Sequence, residues 1–113
     1  MIFYFVEVQD TLGVWHLKTG HTSNSVKVRF KDKRNYGDGL KIIKTIEVND
    51  DDIKAVENNF KEMQIGTKKA AQLGVPDNFM GRGEIIDPKY TKDEILDKIN
   101  SINIPRKTTL EDF

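Results

Sequence analysis

The chain has 113 residues, enough for one domain and too few for two of ordinary size. Hydrophobic residues make up 37% and charged residues 32%, which suits a soluble protein with one modest core; no run approaches the roughly 20 apolar residues that span a bilayer. With no cysteine and only His16 and His21, the chain offers no disulfide, thiolate zinc site, cysteine nucleophile or histidine-rich cage, so any metal must sit on oxygen, as magnesium, manganese or calcium do.

The apolar start, Met1 to Val8, lacks the basic beginning and small-residue cleavage site of a signal peptide. An intracellular protein, not a secreted one, is expected. Ile2 to Val8 predicts an interior strand, apolar on both faces at first. Asp10-Thr11-Leu12-Gly13 predicts a hairpin turn, and Val14 to Gly20 a second strand. Thr22-Ser23-Asn24-Ser25 offers caps for a helix near 26–35 that carries Val26, Arg29, Phe30 and Lys33. The run Asn35-Tyr36-Gly37-Asp38-Gly39 closes it. Leu40, Ile42, Ile46 and Val48 alternate as one face of a third strand over 40–48, interrupted there only by Lys44.

A helix over 51–64 follows, with acids at its positive end and an apolar stripe of Ile53, Val56, Phe60 and Met63. Thr67 to Leu73 predicts a short helix stopped by Gly74 and Pro76. Asp77 to Gly83 reads as loop, and Glu84-Ile85-Ile86 as a short strand. Thr91 and Glu94 form a capping box for a last helix that buries Ile95, Ile99 and Ile102. Residues 105–113 show no regular pattern and are expected to be a flexible or docking tail behind a single domain, 1–104. The order implies an α+β fold: a small three-stranded antiparallel sheet flanked by helices.

Net charge is zero, yet it is unevenly spread. Lys18 to Lys44 holds eight basic residues against Asp32 and Asp38, a local charge of +6, while Glu47 to Glu62 carries -4. Such a basic block can meet a phosphate backbone, or simply be solvated. Four residues border the expected core and bear chemistry. Tyr4 stands in an apolar strand, Gly20 ends the second strand before a helix start, and Arg29 and Glu57 flank their helices' apolar stripes. A phenol, a guanidinium and a carboxylate around a glycine would suit metal-assisted phosphoryl chemistry, although each also has an ordinary structural role.

Phe3-Tyr4-Phe5-Val6 followed by Lys18-Thr19-Gly20-His21-Thr22, then Arg29 and Ala55-Val56-Glu57-Asn58-Asn59-Phe60, resembles the GIY-YIG nuclease superfamily, and within it the T5orf172-type branch. The resemblance covers residues 2 to about 63, with Gly81-Arg82-Gly83-Glu84 a weaker echo of the closing strand. It implies that Tyr4 accepts or relays a proton, that Arg29 stabilises the scissile phosphate, and that Glu57 binds one divalent ion, Mg2+ or Mn2+. Gly20 falls on the second motif's glycine, and Lys18 stands where that motif has its tyrosine. Ile2 replaces the first motif's glycine.

Two functions follow. One is a DNA endonuclease hydrolysing phosphodiesters with one metal ion, at a cleft near Gly20 where Tyr4, Arg29 and Glu57 converge from one side of the sheet. The other is a catalytically degenerate domain of the same shape that binds nucleic acid or serves assembly. Either way, His21, Lys31 and Lys33 join Gly20 as candidate phosphate contacts. DNA binding is expected to be weak and not sequence-specific, with a protein partner supplying targeting and no membrane involved. The lysine-, asparagine- and isoleucine-rich composition would suit a phage or viral gene.

Overall fold

Strand β1, Ile2–Gln9, forms the middle of the sheet, and five of its side chains (Phe3, Tyr4, Phe5, Val6 and Val8) are at most 1% exposed. The structure, a computed structural model, describes residues 1–102; the expected tail, 105–113, and the expected domain end at 104 lie outside the described residues. The turn after β1 is tied by Asp10, whose Oδ1 accepts hydrogen bonds from the Leu12 and Val14 amides at 2.8 and 3.0 Å. Gly13 completes it at φ 85°, a conformation that suits glycine. Strand β2, Trp15–Thr22, and strand β3, Leu40–Glu47, then pair antiparallel with β1 on either side, giving the order β2-β1-β3. The three-stranded antiparallel sheet expected from the sequence is present.

Alternation along β1 sends side chains into two cores on opposite faces. Phe3 and Phe5 join Ile53, Val56, Phe60, Ile95 and Ile99, whereas Tyr4, Val6 and Val8 join Val26, Phe30, Tyr36, Phe79 and Ile85. The first core thus takes helix α2, Ile53–Asn58, and helix α4, Lys92–Ser101. The second takes helix α1, Val26–Arg29, and helix α3, Gly66–Gln72. The expected capping box at Thr91 and Glu94 is formed, with both reciprocal bonds in place.

Four expectations need correction. The third strand does not present one apolar face. Phe5 pairs with Lys44 but Val6 with Ile42, so Ile43 is an extra residue. That bulge reverses the side-chain parity: Leu40 packs with the Tyr4 core, while Ile46 packs with the Phe3 core. The helix expected over 26–35 is a single turn, because Asp32 accepts from the Arg34 amide at 2.9 Å and folds the chain into a turn of its own. Lys31 and Lys33 therefore lie on irregular chain rather than on a helix. The helix expected over 51–64 is α2 followed by a separate 3-10 turn, Lys61–Met63, which still delivers Phe60 to the core. Finally, Glu84 ends a 3-10 turn, Arg82–Glu84, and Ile85 and Ile86 make only isolated bridges, to Lys18 and Gln64.

Candidate functional site

On β2, Lys18 stands opposite Val6 and Gly20 opposite Tyr4, so all four project from, or border, the same face. Gly20 is needed for what happens there. A Cβ at this position would lie 2.5 Å from the Tyr4 hydroxyl oxygen, so the bare strand lets the phenol cross onto β2. Lys18 Nζ donates a hydrogen bond to Tyr4 Oη at 2.9 Å and sits 5.2 Å from the centre of the Tyr4 ring. Both side chains are sealed, Lys18 at 0% exposed and Tyr4 at 1%.

Burying an ammonium disfavours its charged form. Desolvation lowers the proton affinity of Lys18 from 10.5 to about 8, against a smaller upward pull from the Glu84 and Glu57 carboxylates; Arg29 adds to the lowering. Glu84 Oε1 is 3.8 Å away. Burial also raises the Tyr4 hydroxyl well above the usual phenol range, with Arg29 opposing. Lys18 is therefore a buried ammonium that gives up its proton at lower pH than a surface lysine does.

Arg29 ends α1 beside this pair. Its Nη1 donates to Tyr36 Oη at 2.6 Å, and Tyr36 Oη donates to the Met80 carbonyl at 3.1 Å. Tyr36 is itself held edge-on between Phe30 and Phe79, with ring centres 4.9 and 5.1 Å away. Burial raises its hydroxyl pKa, and the neighbouring Arg29 partly offsets this.

Glu57 comes from the other layer. His21 pairs with Phe3 in register, so it projects from the opposite face to Tyr4, and its Nδ1 contacts Glu57 Oε1. Arg29 and Glu57 thus rise from opposite sides of the sheet, and the expected one-sided cleft is not formed. What joins them is the edge of β2: Tyr4 crosses at Gly20, and Glu57 touches the next residue, His21. Glu57 still raises the proton affinities of Tyr4 and Lys18, as the weakest of the charges acting on each. Lys31 and Lys33 stand apart, exposed, with Lys33 paired to Asp38 at 3.1 Å.

For a divalent ion, the donors near Glu57 are sparse. A shallow cavity of about 310 Å³ there is lined by His21, Ile53, Lys54, Glu57, Asn58 and Lys61. Among the described residues, no three His, Cys, Asp or Glu side chains are grouped to hold a metal. Glu57 is the one carboxylate lining this cavity; its Oε1 is engaged by His21, and Lys54 and Lys61 line the same walls, so the donors present suit a divalent ion poorly.

Sequence reasoning missed Tyr36 and Glu84 as parts of this cluster. Both lie in glycine-rich stretches, Tyr36-Gly37-Asp38-Gly39 and Gly81-Arg82-Gly83-Glu84, where close chain approach was the available signal. Compared with models of known families, with curated proteins and with solved structures, the chain matches none. No helix among the described residues is long and apolar enough to cross a membrane.

Proposed function

We propose that the chain is a GIY-YIG-type nuclease domain that hydrolyses DNA phosphodiester bonds at the edge of β2. The observation that carries this reading is the sealed Lys18–Tyr4 pair beside Gly20. A buried lysine with a lowered proton affinity is costly to fold around, and groups tuned in this way cluster at sites of proton transfer. In the proposed reaction, local opening at the β2 edge first admits the attacking water to the buried Tyr4 hydroxyl; Tyr4 then takes the water's proton as neutral Lys18 accepts the Tyr4 proton. Arg29, held by Tyr36, offsets charge developing on the phosphoryl oxygens. Glu57 is the cavity's one carboxylate for the Mg2+ or Mn2+ that the family resemblance implies, and further oxygens would have to come from the phosphate and water. DNA affinity would come from the Lys18–Lys44 basic stretch, with a partner protein supplying targeting.

A second reading, a domain that binds nucleic acid or assembles without cleaving, is favoured by two observations. Tyr4 and Lys18 are out of reach of solvent, and Arg29 and Glu57 come from opposite faces. Nicking of supercoiled plasmid with manganese separates the two. Cleavage by wild type that is abolished in both Arg29→Ala and Glu57→Ala supports the nuclease. No cleavage by folded wild type supports the binding module.

A further inference from the structure

Lys18 has no exposed surface and Tyr4 almost none, so a proton leaving the pair needs a carrier. Each polar neighbour of Lys18 comes from a different element: Tyr4 from β1, Arg29 from α1, Glu57 from α2 and Glu84 from the Arg82–Glu84 turn. Arg29 is a permanent cation and accepts no proton. Glu57 acts on Lys18 as the weakest charge of the set and is engaged by His21 on the far face. Glu84 is different. Its carboxylate is 3.8 Å from the ammonium, and its side chain is 39% exposed.

The chain is shaped to keep it there. Gly81, at φ 73°, covers Lys18: a Cβ on it would lie 2.8 Å from Glu84 Oε1 and 3.0 Å from Lys18 Nζ. A side chain there would press on both the carboxylate and the ammonium, and the left-handed backbone would strain it. The turn is anchored on both sides. The Glu84 amide donates to the Gly81 carbonyl at 2.9 Å, and Tyr36 holds the Met80 carbonyl.

We propose that Glu84 carries protons between the sealed Tyr4–Lys18 pair and solvent. The Glu84 carboxylate closes from 3.8 Å to hydrogen-bond distance, and the Lys18 N–H bond then breaks as an O–H bond forms on the carboxylate, leaving a neutral amine. The carboxylic acid then passes its proton to water, and the amine is free to accept the Tyr4 hydroxyl proton. The inference rests on the nuclease reading for its purpose, but its chemistry can be measured without any substrate.

The test follows the Lys18 side-chain nitrogen and ε-carbon by NMR in the full chain. In Glu84→Gln the loss of a stabilising negative charge should lower the Lys18 titration midpoint by about one pH unit. Exchange of its ammonium protons with water should slow by about a hundredfold, because the acceptor is gone. Glu84→Asp, which keeps the charge on a shorter arm, should recover part of both effects. An unchanged midpoint or an unchanged exchange rate in folded Glu84→Gln overturns the proposal. If both change while wild type fails to nick plasmid, the proton path stands and the nuclease reading falls.

Discussion

Replacing Lys18 by methionine should make the protein more stable at neutral pH. Protonated Lys18 is carried in the core although its proton affinity there has fallen from 10.5 to about 8, which costs about 3 kcal/mol relative to the unfolded chain. Methionine fills a similar volume without charge. Its drawback is the Tyr4 hydroxyl, which loses the donor at 2.9 Å, at a cost of about 1 kcal/mol. The net gain is about 2 kcal/mol, or a rise of about 10 °C in Tm for a domain of this size. The pH dependence is the sharper signature. Between about 8 and 10.5 the unfolded lysine keeps a proton that the folded one releases, so wild-type stability climbs with pH across that window. Lys18→Met has no such climb, and its advantage should vanish by the upper end. Urea unfolding of both proteins from neutral to alkaline pH measures this directly. A variant less stable than wild type at pH 7, or a stability difference that does not change with pH, would refute the reasoning.

Gly20→Ala should destabilise by about 1–3 kcal/mol through overpacking. Tyr4→Phe should not rescue it, since the new Cβ would also lie 2.7 Å from a ring carbon; rescue seen by urea unfolding would contradict the crossing described at Gly20. Tyr36→Phe removes the bonds to Arg29 and Met80 and should cost about 1–2 kcal/mol, with a larger loss in nicking rate than in DNA binding; equal losses would argue against a positioning role. Burial pushes the Asp10 carboxyl up, but the His16 side chain and the Val14 and Leu12 amides hold it below the usual range. That contribution is present above the ordinary carboxylate pKa and lost as pH falls through the lower folded value, so Asp10→Asn should flatten the acid limb of a stability profile. DNA binding measured over a salt series should show a shallow log-log slope, about -2 to -4, that flattens further when Lys31 and Lys33 are both changed to alanine.

Much of the fold is legible in local pattern. The hairpin turn, the capping box and the apolar run that makes β1 an interior strand are encoded within a few residues, and each forms as read. The failures have physical causes. Nothing local marks Ile43 as an extra residue: the bulge arises because Leu40 and Ile46 are drawn to different cores. The 26–35 segment has helical spacing, but Asp32 competes through its own side chain for backbone amides. At the site, Tyr4 and Gly20 were readable from their places on the first two strands, and Lys18 only through the family resemblance. Two of that trio's partners were not. Tyr36 and Glu84 reach it across 32 and 66 residues from Tyr4 and Lys18, respectively, and only tertiary packing brings them there.

The two cores have one thing in common: the central strand. Phe3 and Phe5 serve one and Tyr4, Val6 and Val8 the other, so neither layer can detach without stripping a face of β1. A sandwich whose cores shared no strand would come apart in two steps. Here the shared spine couples them, and the amides of β1, which has a paired strand on either side, should exchange with solvent only through complete unfolding. The helical layers would fray at their own lower energies, while the strand that carries Tyr4 remains the last part of the molecule to open.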